Sequence, residues 1–242
     1  MSFFGNQSGR CTISPNDLIA IELSLRVAIV ATLASLPFAI AFAYLLARYN
    51  FPGKTLLDAI LHLPLVLPPV VTGYMLLLTF GRKGPVGAWL YDNLGIVLSF
   101  RWTGAALAAA IMGFPLMLRA IRLSFESIDR RLEDAAGSLG ANGWWTFVLI
   151  TLPLAVPGVL AGTVLGFAKA LGEFGATITF VSNIPGETQT IASAIYTYTQ
   201  IPGSESEALR LMGVSVAIAL AAMVLSEVLN RQMQRRISVF ER

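Results

Sequence analysis

Long uncharged runs alternate with short charged segments along most of this chain. Five of the runs, residues 27–47, 59–81, 102–118, 146–168 and 211–226, come close to the length needed to cross a membrane. A bilayer core about 30 Å thick needs roughly 20 apolar residues of helix. None of the runs alternates between apolar and polar residues as barrel strands do. Because a lone strand leaves its backbone unpaired in lipid, we predict an all-α integral membrane protein with five spanning helices.

Two further apolar stretches contain residues that interrupt a span. Residues 86–100 carry an Asp-Asn pair and a glycine, and we interpret them as an interfacial or re-entrant helix. Residues 175–200 contain a Pro-Gly pair with several threonines and tyrosines, and we place them at the outer surface. A sixth span, which would move one terminus to the other side of the membrane, stays open as an alternative.

Composition supports a membrane as the solvent and excludes several classes of protein. Charged residues make up 13% of the chain and hydrophobic residues 55%, whereas charged residues make up about 25% of a soluble domain. Cys11 is the only cysteine and His62 the only histidine, which excludes a disulfide scaffold and argues against a bound metal. The net charge is +3, but the basic residues flank apolar runs and therefore indicate topology rather than nucleic-acid binding.

The lysines and arginines between the runs predict the orientation. With five spans, ten of them fall on one side and four on the other, and the side richer in positive charge faces the cytoplasm. The loop of residues 119–150 and the C-terminus are therefore predicted to be cytoplasmic, and the N-terminus external. This division gives an external N-terminal segment over residues 1–16, a transmembrane domain over 17–230 and a cytoplasmic tail over 231–242.

The tripeptide Gly53-Lys54-Thr55 matches the end of a phosphate-binding loop. Such a loop needs a further glycine five positions before Gly53, so that backbone amides can wrap the phosphate, and Arg48 stands there. Arg48 also ends a predicted membrane helix, which leaves no buried strand before the loop. We therefore interpret the tripeptide as a cytoplasmic turn, and we expect no catalytic residue and no cofactor in this chain.

The cytoplasmic loop over residues 127–153 carries the most informative pattern. Glu133 and Asp134 are followed by small residues and then by Gly140, which predicts a short helix that starts with two acids and breaks at the glycine. Small residues allow another protein to approach closely. An ordinary loop between helices does not account for the Trp144-Trp145 pair that follows.

The order and spacing of residues in this loop match a known signature. The loop contains Asp134-Ala135-Ala136, three residues, Gly140, nine residues, Ile150, one residue and Leu152-Pro153. This pattern resembles the EAA motif of ABC importer permeases, with aspartate in place of the usual glutamate and a second acid one position earlier. The resemblance implies a coupling helix that docks on a cytoplasmic ATP-binding subunit. The residues it assigns to this role are Glu133, Asp134, Ala135, Ala136, Gly140, Ile150 and Pro153.

A second resemblance covers nearly the whole chain from Ser24 onward. The sequence is similar to the molybdate importer permeases, most densely in residues 63–73, 80–85 and 170–177. Sulfate permeases share the Leu-Gly-Glu-Phe-Gly part of the last block. The proline-rich span followed by Phe-Gly-Arg-Lys-Gly-Pro favours the molybdate group.

Three prolines of the second run predict a break in the middle of the membrane, because a proline removes a helical hydrogen bond. Freed carbonyls at that depth are tolerated only where protein or a water-filled cavity satisfies them. Such irregularity suits a translocation pathway or gate, and a kinked packing helix is the alternative. The candidate pathway residues are Pro64, Pro68, Pro69, Thr72, Gly73, Gly172, Glu173 and Gly175.

The fourth run carries two patterns with helical spacing. Gly158, Gly162 and Gly166 recur every four residues, which predicts a face for close helix packing in preference to a pore lining. Lys169 and Glu173 are also four apart, and we interpret them as a structural ion pair rather than a substrate ligand. The spans offer no tight anion site.

The resemblance as a whole implies the permease subunit of an ABC importer for molybdate. We expect a homodimer in the lipid of a bacterial or archaeal cytoplasmic membrane, with two cytoplasmic ATPase subunits, an external molybdate-binding protein and no nucleic acid. Tungstate or sulfate as the cargo is one alternative. An ion-coupled secondary carrier is another, but it would need buried acids or histidines in mid-span, and only His62 is available. A membrane scaffold without transport would leave the coupling-type loop unexplained.

Overall fold

A computed structural model of the chain describes residues 14–237, and every regular element within them is a helix. In chain order the helices are α1 Pro15–Arg48, α2 Lys54–Val66, α3 Pro69–Phe80, α4 Pro85–Leu94, α5 Trp102–Ser127, α6 Arg130–Ser138, α7 Gly143–Thr146, a π-helical turn Phe147–Thr151, α8 Leu152–Leu171, α9 Gly175–Val181, α10 Ile191–Thr199 and α11 Glu205–Ile237. Residues 1–13 of the predicted external segment and 238–242 of the predicted tail lie outside the described residues. The last helix continues past the boundary that we predicted at residue 230.

Four continuous helical stretches are long and apolar enough to cross a membrane. They are Pro15–Arg48, Trp102–Ser127, Gly143–Leu171 and Glu205–Leu225. The remaining predicted span, residues 59–81, is a pair of helices, α2 and α3, bent by 112° at a short break. The described residues therefore hold five spans when the bent pair is counted as one.

The break between α2 and α3 falls at the prolines. Leu67 has an extended backbone, with ψ 144°, as a residue before proline prefers, and Pro68 and Pro69 have no N–H to continue the helical ladder. The prediction that these two prolines interrupt the span is confirmed. The same prediction for Pro64 is wrong, because Pro64 lies inside α2 and a proline can cost a helix one hydrogen bond without ending it.

Helix α5 lies at the centre of the fold, between α1 and α8. Its alanines, including the fully buried Ala105 and Ala108, let α1 approach closely. On its other side, a Cβ added at Gly162 would lie 2.8 Å from Ile121 Cγ1 and 2.9 Å from the Met117 carbonyl oxygen. Gly158 and Gly166 also lie directly against side chains of α5. The predicted packing face of α8 is therefore confirmed.

The stretches predicted to interrupt the spans contain helices of their own. Helix α4 ends at Leu94, where Gly95 adopts a left-handed backbone, so the helix is shorter than the predicted residues 86–100. Helices α9 and α10 occupy much of residues 175–200. Helix α9 packs against α3 and α5, and its Phe180 is fully buried. This part of the stretch is core, which differs from the surface segment that we predicted.

A polar cluster joins the N-terminal end of α1 to the last two helices. The buried Asp17 carboxylate lies 2.9 Å from Nη2 of Arg210 in α11. It also accepts a 3.0 Å hydrogen bond from the hydroxyl of Tyr198 in α10. Burial, and then the contact with Asp17, raise the pKa of the Tyr198 phenol, which therefore stays protonated and donates. These contacts connect residues that are far apart in the sequence.

Candidate functional site: the coupling surface and the broken-helix junction

Helix α6 forms the first half of the cytoplasmic loop predicted to dock a partner. The Asp129 side chain accepts a 2.9 Å hydrogen bond from the Arg131 N–H and so caps the start of the helix. The helix begins at Arg130, and the prediction that Glu133 and Asp134 start it is wrong. Aspartate is among the preferred residues at this capping position, so Asp129 was the sequence signal that the prediction missed.

Gly140 ends α6 through its backbone. The Ala141 N–H donates to the Ala136 carbonyl at 3.0 Å, and the Gly140 N–H donates to the Gly137 carbonyl at 3.0 Å. Together with a φ of +89° at Gly140, these two bonds make a Schellman motif. The predicted break at Gly140 is confirmed. A Cβ there would meet nothing within 4 Å, so the positive φ, and not lack of space, favours glycine.

The inner side of α6 is attached to the membrane helices by polar side chains. Glu133 lies 3.0 Å from Nη2 of Arg48 at the end of α1. It also accepts a 2.7 Å hydrogen bond from the hydroxyl of Thr151, just before α8. Sequence reasoning counted Arg48 only as a charge that fixes topology, because nothing local in the sequence pairs it with Glu133.

The outer side of the loop exposes apolar side chains next to small residues. Leu139 is 90% exposed, Trp144 68% and Trp145 53%. Asp134 and Ala135 are also exposed. A rim of polar residues around exposed apolar side chains is typical of a protein-interaction surface. We call this set of five residues the coupling surface.

The connection into α8 is a π-helical turn. The Leu152 N–H donates to the Phe147 carbonyl, five residues earlier, and Pro153 has no N–H to offer the carbonyl four residues before it. Ile150 is half-buried in this turn, and Pro153 is exposed at the start of α8. Such turns are frequent at functional sites.

The second group of predicted residues meets where two helices are broken. A Cβ at Gly73 would lie 2.5 Å from the Ala176 carbonyl oxygen, and a Cβ at Gly175 would lie 2.7 Å from Pro69 Cβ. The break between α2 and α3 therefore packs against the break between α8 and α9. Interrupted helices that meet in this way are typical of transporter pathways.

Glu173 organises this junction from within. Its carboxylate pairs with Lys169 and accepts a 3.0 Å hydrogen bond from the Ala176 N–H at the start of α9. The predicted ion pair between Lys169 and Glu173 is confirmed. Thr72, one residue before Gly73, has a buried hydroxyl without a hydrogen-bond partner among the described residues. Pro68, Pro69 and Gly172 are exposed, whereas Thr72, Gly73 and Glu173 are buried.

The described residues contain no group of three or more His, Cys, Asp or Glu side chains that could hold a metal ion. Neither the coupling surface nor the broken-helix junction brings together a nucleophile, a base and an orienting group.

Comparisons with known proteins give a consistent result. Residues 35–238 match the family described as "Binding-protein-dependent transport system inner membrane component". The chain is 60% identical to the molybdenum transport system permease protein ModB of Escherichia coli (strain K12), over 90% of this chain and 95% of that protein. It is 55% identical to the protein of the same name in Haemophilus influenzae, over 91% and 96%.

More distant matches include a sequence relative and a solved structure. The sulfate transport system permease protein CysW of Synechococcus elongatus is 38% identical, over 88% of this chain and 75% of that protein. A structure of the MetNI methionine ABC transporter, in inward-facing conformations, superposes with a TM-score of 0.71 at 12% identity. That match covers 89% of this chain and 95% of the other. At this identity the likeness concerns the fold alone.

Proposed function

The chain belongs to the family of binding-protein-dependent transport system inner membrane components, and on that premise we propose that it is the permease subunit of an ATP-driven molybdate importer. The structural observation that supports this proposal is the arrangement of the coupling surface. A short helix is attached on its inner side to α1 and to the turn before α8 and exposes aromatic and small residues on its outer side, which supports a role in docking a partner. In this proposal the permease itself hydrolyses no nucleotide.

The partners follow from the same proposal. Two copies of the chain form a homodimer around the pathway, and each copy presents its coupling surface to one cytoplasmic ATPase subunit. An external binding protein delivers the anion to the opposite side. Closure of the two ATPases on ATP then moves the α6 helices, and the membrane helices rearrange with them.

The broken-helix junction is proposed to line or gate the pathway. Gly73 packs against the backbone of Ala176, and Gly175 packs against the Pro69 ring, so a small displacement of α3 relative to α9 would change the opening between them. Lys169, the cation that the described residues place at this junction, is paired with Glu173 and is therefore not free to hold a dianion tightly. A weakly binding passage suits an importer whose external protein selects the substrate.

Molybdate is the proposed cargo because the relatives named for molybdenum transport are 55–60% identical to this chain. The relative named for sulfate transport is 38% identical. Both anions are tetrahedral dianions, so selection between them belongs mainly to the external protein. Sulfate and tungstate therefore serve as competitors in the assay.

Purification of the chain from its native membranes in mild detergent tests the proposal. We expect an ATP-binding protein to copurify in equal amount, and the preparation to hydrolyse ATP. The matched variant Trp144→Ser, at a side chain that is 68% exposed on the coupling surface, should insert in the membrane but lose both the copurifying protein and the activity. Equal hydrolysis by preparations with and without other subunits would refute the proposal.

A further inference from the structure

The two adjacent acids of α6 differ in exposure and in their contacts. Asp134 is exposed on the coupling surface, whereas the Glu133 side chain is 18% exposed and pairs with an Arg48 side chain that is 6% exposed. We infer that Glu133 is a positioning residue, which clamps α6 to the ends of α1 and α8 so that these elements move together. This inference rests on the proposed coupling role of α6.

The contacts between α1 and α6 come from side chains on both helices. Both terminal nitrogens of Arg48 donate to the Ile128 carbonyl, each at 3.3 Å. Arg48 therefore binds the end of α5 as well as Glu133. In return, Arg130 of α6 donates to the Ala47 carbonyl of α1 at 3.3 Å. Thr151, in the turn just before α8, donates to the same Glu133 oxygen, Oε1, that pairs with Arg48. The Glu133 carboxylate therefore links α6 directly to the end of α1 and to the turn before α8.

Apolar packing cannot hold α6 in place by itself. The helix has nine residues, and Ala136 is its one buried side chain. Isolated helices of this length are marginal in water. The polar cluster is thus the main connection between the α6 side chains and the membrane helices.

The burial of the cluster makes the connection stiff. If α6 moved away from α1, the Arg48 guanidinium would remain largely buried without its carboxylate, which is unfavourable. Rotation of α6 by a bound ATPase is therefore transmitted to α1 and α8 instead of being absorbed at the loop. Among the described residues, no ion pair joins the exposed Asp134 side chain to the membrane helices. In this inference Asp134 therefore serves in docking the ATPase and not in transmitting its movement.

The test uses the complete complex with its ATPase and external binding protein, reconstituted in lipid vesicles. It compares Glu133→Gln with the matched neighbour Asp134→Asn. Two quantities are measured, the ATPase bound per permease and the molybdate taken up per ATP hydrolysed. For Glu133→Gln we expect the ATPase bound per permease to stay within about twofold of the parent, and the molybdate taken up per ATP to fall by about 2- to 30-fold. A fall of that size is typical of mutations that change the coupling between two sites.

Asp134→Asn and a double variant are compared with Glu133→Gln in the same two measurements. Asp134→Asn should lower the bound ATPase while the complexes that do form keep the parental uptake per ATP. Arg48→Gln combined with Glu133→Gln should lose less uptake per ATP than the product of the two single losses, because the effects of two residues in one contact are not additive. Thr151→Val, which removes only the hydroxyl donated to Glu133, should change uptake per ATP in the same direction and provides the measurement if Glu133→Gln fails to insert.

Two results would overturn the inference alone. One is parental uptake per ATP in Glu133→Gln or, where that variant does not insert, in Thr151→Val. The other is a loss of bound ATPase in Glu133→Gln as large as in Asp134→Asn, which would make Glu133 a docking residue. A parent chain that binds no ATPase would instead overturn the proposed function, and the inference with it.

Discussion

Replacing Gly73 by alanine perturbs the broken-helix junction at its tightest point. The new Cβ would lie 2.5 Å from the Ala176 carbonyl oxygen and 2.9 Å from Ala176 Cα, whereas carbon–oxygen contacts begin at about 3.3 Å. Both atoms belong to the backbone of α9, so a change of side-chain rotamer cannot relieve the clash. Helices α3 and α9 must then separate by roughly 1 Å, and overpacking of this kind costs about 1–3 kcal/mol.

Gly172→Ala is the matched control, since it adds the same methyl group at the other helix break. Its Cβ would lie 3.7 Å from the nearest atom, the Ala168 carbonyl oxygen, and its φ of −90° suits any residue. We expect this control to stay within about 0.5 kcal/mol of the parent. Because both variants add the same methyl group, a difference in their stability reports the packing around each site.

Thermal unfolding of the purified chain in detergent, followed by tryptophan fluorescence, measures the difference. In a chain of this size, each kcal/mol corresponds to about 2–4 °C in Tm. Gly73→Ala should unfold several degrees below the parent and transport less molybdate, and Gly172→Ala should match the parent in Tm. Equal midpoints for the two variants, or a larger fall for Gly172→Ala, would refute the close approach of α3 and α9.

Three further predictions concern the loop, the topology and the external end. Gly140→Ala should reduce copurified ATPase, because a left-handed alanine costs about 1–2 kcal/mol; Gly137→Ala, in the helix before it, should not. A cysteine at Ser138 in a chain without Cys11 should resist membrane-impermeant thiol reagents in intact cells, and labelling from outside would reverse the orientation. Asp17→Asn should destabilise the chain by about 1–3 kcal/mol, because Arg210 loses a charged hydrogen-bond partner; an unchanged Tm would remove that role from the pair.

Features that depend on neighbours within one helix could be predicted from the sequence. The glycine face of α8 and the Lys169–Glu173 pair follow from a spacing of four residues, and both are confirmed. The break at Pro68 and Pro69 follows from the missing N–H groups. The sequence did not predict the 112° bend, because its direction depends on what α3 packs against.

Features that join distant segments could not be predicted. Arg48 and Glu133 lie on different elements, and so do Asp17 and Arg210. Each of these residues has an ordinary local role as a flanking or capping charge, so no periodicity marks the pairing. The burial of α9 was missed for a similar reason. Its threonines suggest a surface, but their hydroxyls donate to carbonyls within the same chain segment, which lets the segment enter the core.

Uptake of radiolabelled molybdate into proteoliposomes tests the central claim most directly. The vesicles contain the chain with its ATPase, and the external binding protein is added with the anion outside. The account predicts accumulation that requires ATP and both partners, and that excess sulfate competes poorly. Accumulation driven by a proton or sodium gradient without ATP, through the chain alone, would contradict the account and make the protein a secondary carrier.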